Sequence, residues 1–164
     1  MPSNNEEPAK INLEYYSERF AKKLFKKFPQ WKRYADHYTV GEPDDISYYL
    51  EVQIPPENPN VTEPLRIQTY PQEVLVSWLG GTHYHFDSWP EHKDTLYMES
   101  AIQSLEAIIT DQIVFYNIKK DGKPVAGGSY NPLTSELPPN VLSLELGSVI
   151  LRSWLSGHDR EMHA

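Results

Sequence analysis

Between Leu65 and Asp87 the chain alternates apolar and polar residues in three short runs, broken only where a turn must form. That period of two marks strands with one buried face, and breaks this short favour antiparallel pairing. Leu65-Arg66-Ile67-Gln68-Thr69 is the first run. Tyr70-Pro71-Gln72-Glu73 turns the chain, because proline fixes φ and removes a donor. Val74-Leu75-Val76-Ser77-Trp78 follows, rich in β-branched and aromatic residues. Gly80-Gly81 accepts the positive φ of a tight hairpin, and Thr82 to Asp87 leads back. Side chains alternate along a strand, so Thr82, Tyr84 and Phe86 share a face expected to be buried. His83, His85 and Asp87 share the other, either open to solvent or the floor of a pocket.

Imidazoles and a carboxylate on one strand face form a ligand set for zinc, manganese or iron(II). One strand supplies too few ligands alone, so Glu91, His92, His158 or Asp159 would have to complete the site. The plainer reading makes His83 and His85 surface side chains bonded to their neighbours. A third reading joins His83, His85, Asp87, Arg152, His158 and Asp159 in a buried polar network. It would tie the C-terminal strand to the central hairpin, with Arg152 paired bidentately to Asp87 or Asp159.

Upstream, residues 1–10 read as a disordered tail and 11–164 as one domain. Asn12 is a candidate helix N-cap, with Ile11 stapled onto Tyr16. Leu13, Tyr16, Phe20, Leu24 and Phe28 form an apolar stripe, and Pro29 stops the helix. Trp31, Tyr34 and Tyr38 point to a short second helix within 30–40. Ile46 to Ile54 is a strand with Tyr48, Leu50, Val52 and Ile54 on one face. The proline-bearing stretch Pro55 to Asn60 is a loop.

Downstream, Met98, Ala101, Ile102, Leu105, Ile108 and Ile109 mark a second long helix, capped by Ser88 or Asp94. Ile113 to Ile118 is an apolar strand, and Asp121-Gly122 a primed-turn hairpin. Gly127-Gly128 is expected to weaken or bulge the return strand. Val141 to Trp154 reads as strand with a bend at Gly147, and the polar segment Ser156 to Arg160 as a solvated tail. The sum is α+β: a mainly antiparallel sheet of about six or seven strands against one or two long helices.

Composition narrows function. The chain lacks cysteine, so no thiol can act as nucleophile or ligand. Met1 to Pro8 is polar and acidic, unlike a secretory signal, and no run reaches the roughly 20 apolar residues that span a bilayer. A cytoplasmic location and no membrane partner are the expectation. The net charge of −8 argues against nucleic acid and suits a basic protein partner.

Three pieces carry a resemblance: Val74-Leu75-Val76-Ser77-Trp78 with His83-Tyr84-His85-Phe86-Asp87, the helix after them, and Leu151-Arg152-Ser153-Trp154 with Gly157-His158-Asp159. Over residues 65–159 the chain resembles small bacterial proteins that look like immunity proteins of polymorphic toxin systems. The resemblance implies a cytosolic protein that blocks one cognate toxin by direct contact, with no cofactor and no catalytic residues. Trp78, Tyr84, Trp89 and Glu91 are the candidate partner contacts. The alternative is a metal-dependent enzyme using His83, His85 and Asp87. Gly81-Thr82-His83-Tyr84-His85 followed by Glu91 is similar to the first metal motif of cupins. It departs from that motif in the five residues between His85 and Glu91, in the missing second motif and in the helix that would interrupt a barrel.

Overall fold

Strand pairing in the computed structural model, which describes residues 12–87, 96–138, 141 and 147–163, separates the strands into two antiparallel sheets. The first contains β1 (Ala35–Val40), β2 (Ser47–Ile54), β3 (Leu65–Tyr70), β4 (Glu73–Trp78) and β5 (Thr82–Asp87), laid side by side in chain order. The second contains β6 (Val114–Lys120), β7 (Lys123–Tyr130), β8 (Ser148–Ser153) and β9 (Arg160–Met162), in the order β7-β6-β8-β9. The long helices are α1 (Tyr15–Lys27) and α2 (Leu96–Ile109). The α+β, mainly antiparallel architecture is as the pattern predicts. The strands divide because α2 stands between β5 and β6, and β6 takes both its partners from downstream.

The main core lies between the inner face of the first sheet and the helices. Leu50, Val52, Ile54, Leu65, Ile67, Val74, Val76 and Trp78 project from the strands onto Phe20 and Leu24 of α1 and Met98, Ala101, Leu105 and Ile108 of α2. Each large apolar side chain removed from water contributes about 1.5–3 kcal/mol. Phe115 of β6 and Trp154 after β8 join this core, packing on the Trp78 ring at centroid distances of 5.1 and 5.3 Å. The opposite face of the second sheet has its own cluster: Val114, Ile118, Val141, Val149 and Leu151. Phe115, with Trp154 just past β8, is the apolar contact that joins the second sheet to the first.

Several local expectations are corrected. The cap of α1 is Glu14, not Asn12: its carboxylate accepts from the Tyr16 and Ser17 amides at 2.9 and 3.3 Å. Ile11, Ser88 and Asp94 lie outside the described residues. The stretch read as a second helix is a 3-10 turn (Pro29–Tyr34) that runs straight into β1, whose register on β2 pairs Ala35 with Val52 and Val40 with Ser47. Gly127-Gly128 holds regular register opposite Asn117 and Tyr116; the irregularity falls between Ile118 and Lys119. Those glycines serve close approach instead, since a Cβ at Gly128 would strike the Tyr116 ring. Strand β8 begins at Ser148, after Gly147 at φ 107°; of the stretch expected before it, residues 142–146 lie outside the described residues and Val141 is in a turn. The C-terminal segment is not a loose tail: it turns back and pairs as β9 on β8. No described helix is long and apolar enough to cross a membrane.

Candidate functional site

Sheet register assigns the outer face of the first sheet. Leu50, Val52, Ile67, Val74 and Val76 point into the core, so their neighbours in sequence point out. Among the described residues both helices pack on the inner side, which leaves the outer side to solvent. Tyrosines gather at one end: Tyr38 stacks on Tyr49 at 5.6 Å and meets the Tyr70 ring edge-on at 5.8 Å. The Tyr38 hydroxyl donates to the Thr69 carbonyl, and burial, helped by the neighbouring Tyr70, pushes its phenol well above the ordinary tyrosine range. Asp36, Glu51, Glu73 and Asp87 share this face with a single guanidinium, Arg66. Glu51 takes a hydrogen bond from Gln68 Nε2 at 3.0 Å and lies 3.7 Å from Arg66 Nε.

The histidines belong to this open face. His83 and His85 are exposed, with ring centroids 4.9 Å apart in an edge-to-face pose. Nδ1 of His83 bonds the Gly81 carbonyl at 2.8 Å, and Nδ1 of His85 bonds the Glu73 carboxylate. Asp87 stands opposite Glu73 in the β4–β5 register. Among the described residues no three His, Asp or Glu side chains gather closely enough to hold a metal ion. Glu91, His92 and Trp89 lie outside the described residues.

The proposed six-residue polar network does not form as one unit, because its members sit on different sheets: His83, His85 and Asp87 on the first, Arg152, His158 and Asp159 on or beside the second. The second group does build a network, with partners the sequence did not flag. The Asp159 carboxylate accepts from Asn58 Nδ2 at 2.9 Å, Asn60 Nδ2 at 3.0 Å and the Ser153 amide at 3.0 Å. Arg152 is not bidentate on it: Nε approaches Asp159 at 3.7 Å, while the guanidinium's closest acid is Glu161. His158 contributes its backbone amide, donating to Ser153 Oγ at 3.1 Å, and leaves its ring exposed. Asp111, just past α2, receives the Leu155 and Gly157 amides at 2.7 and 3.0 Å and closes the turn from its other side.

Two of the candidate contacts face inward. Trp78 is 2 % exposed and its Nε1 donates to the Glu63 carbonyl at 3.1 Å, so it is a core residue and no anchor for a partner. Tyr84 lies on the inner face of β5, where its hydroxyl hydrogen-bonds Ser129 of β7 and fastens the sheets together. Burial, with Tyr116 nearby, pushes the Tyr84 phenol up to about 12.

Beside this bolt a cleft of about 470 Å³ opens between the β4–β5 turn and β7. Residues 80–84 and 124–129 form its walls, and Asn117 of β6 lies between them. Asn117 is 7 % exposed and its Oδ1 has no hydrogen-bond partner. An orphaned buried acceptor costs about 1–3 kcal/mol, so this one needs a reason. Sequence reading passed over Asn117, Asn58 and the Tyr38–Tyr49–Tyr70 cluster, because a lone amide or tyrosine on a strand carries no spacing signal. No protein-family model, no curated protein and no solved structure matches the chain.

Proposed function

We propose that this chain is a non-enzymatic binding protein that holds a basic protein partner on the outer face of its first sheet. In the form the sequence resemblance implies, the partner is a cognate bacterial toxin, blocked by direct contact. One observation carries the reading: a sheet face uncovered among the described residues, where packed tyrosines sit beside four carboxylates and one guanidinium. Strands spaced about 4.8 Å apart and rising about 3.3 Å per residue give it an extent of roughly 20 Å each way. Tyrosines already packed against one another lose little freedom on docking, and the acidic excess steers a basic partner.

The test mixes the purified chain with the toxin domain encoded beside its gene and measures affinity and association rate against salt. The expected result is a complex whose association slows with salt. The double change Glu73→Lys and Asp87→Lys should weaken it ~10-fold or more without loss of fold. No complex, or a complex indifferent to both reversals, would defeat the proposal.

A further inference from the structure

The tyrosines and carboxylates of the outer face leave the histidine pair of β5 without a task, and nothing about that pair depends on a docked partner. His83 and His85 are both exposed, two residues apart on one face of the strand. Each ring has one nitrogen engaged by the chain itself. Nδ1 of His83 meets the Gly81 carbonyl at 2.8 Å, and Nδ1 of His85 meets the Glu73 carboxylate. Both partners accept and do not donate, so Nδ1 carries the proton of each neutral ring and Nε2 keeps its lone pair. A carbonyl or carboxylate behind the far nitrogen is the usual support of a metal-binding imidazole.

The directions of these bonds decide where the lone pairs go. Gly81 lies two residues before His83, at the turn, whereas Glu73 stands opposite Asp87, two residues beyond His85. Nδ1 and Nε2 lie on opposite sides of an imidazole's long axis. The rings therefore turn their Nδ1 sides away from each other and their Nε2 sides toward each other. Two imidazoles that share an ion through bonds of about 2.0–2.1 Å, at angles from square to tetrahedral, place their ring centres roughly 4.5–5.2 Å apart. These centres are 4.9 Å apart. Glu73, bonded to His85, and Asp87 opposite it add carboxylates beside the pair. Among the described residues no third His, Asp or Glu gathers with the two rings, which leaves the remaining positions to water.

We propose that His83 and His85 form a two-imidazole chelate for one divalent transition-metal ion of the imidazole-preferring kind, zinc or copper(II), bound through both Nε2 atoms. Imidazole nitrogen suits these ions, whereas magnesium and calcium seek oxygen. Both rings project from one paired strand, so once the first nitrogen binds, the second is already beside the ion. Glu73 is a positioning residue: it touches no metal and fixes the tautomer and direction of the His85 ring.

The test titrates the full isotope-labelled chain, free of any histidine tag, with zinc chloride and follows the histidine ring resonances by nuclear magnetic resonance. The His83 and His85 rings should shift together and saturate at one zinc per pair, while His37, His158 and His163 move little. His83→Ala and His85→Ala should each weaken zinc binding ~10-fold or more, because a ring left alone binds as any lone surface histidine does. For the same reason the double variant should be no more than about 2-fold weaker than either single one. Glu73→Ala should weaken it ~10-fold, the usual effect of losing the group behind a ligating imidazole. Absence of a saturable shift overturns the proposal. So do shifts of one ring only, losses that add in the double variant, an equal response of all the exposed histidines, which is adventitious binding, or the same response to magnesium chloride. Zinc binding undiminished by Glu73→Ala overturns the positioning role.

Discussion

Asn58 and Asn117 are both buried, 1 % and 7 % exposed, and each lies where the second sheet meets another part of the chain. At Asn58 every group is used. Nδ2 donates to the Ser153 carbonyl at 2.7 Å and to the Asp159 carboxylate at 2.9 Å, and Oδ1 accepts the Asn60 amide at 2.8 Å. At Asn117 the oxygen is orphaned beside an open cleft. A saturated buried amide locks a structure, because each of its partners would be stranded if it left. An unsaturated one weakens the fold, because the group has left water and gained no partner.

The comparison is most severely strained by removing the acid at the centre of the saturated network. Asp159→Ala strands the Ser153 amide, leaves Asn58 Nδ2 with the Ser153 carbonyl alone and takes one acid from Arg152. A loss of about 3 kcal/mol in urea unfolding is expected, the scale of breaking a buried charged group's partnerships. Making the same substitution at both asparagines isolates the contrast. Asn58→Leu should cost about 2 kcal/mol or more by the same measurement. Asn117→Leu should stay within about 1 kcal/mol of the natural chain, on either side. Equal losses at the two positions would erase the distinction.

A pH scan examines the joint between the sheets. The Tyr84 and Tyr97 phenols are held up to about 12 against an ordinary value of 10.0, burial being the main cause for each. The folded chain keeps protons that the unfolded chain gives up, so this contribution is whole below pH 10 and fades as pH rises from 10 through 12. Melting temperature should fall across that interval, and Tyr84→Phe should make the fall shallower. The smallest effect is expected at the exposed His85–Glu73 pair, where His85→Ala should change stability by less than about 0.5 kcal/mol.

The hairpins were legible because their signals are local. Gly80, Gly81, Asp121 and Gly122 all adopt positive φ, as the turn chemistry requires. The sidedness of β5 followed from its alternation, and the histidine face is the open one, as one of the two expectations held. The segment 35–40 misled because aromatics at 31, 34 and 38 have helical spacing, while its strand conformation comes from hydrogen bonds to β2. The same limit hid the C-terminal network: Asn58 and Asp159 meet across 101 residues of chain.

Local chemistry in the sequence therefore determined the turns, the inward and outward faces of the strands, and both long helices. Which strand pairs with which sheet, where Trp78 ends up, and why one buried asparagine is saturated and the other is not were decided only in the tertiary structure. Dihedral preference and apolar period act over a few residues, whereas sheet membership and the satisfaction of a buried polar group depend on what distant chain brings within about 3 Å.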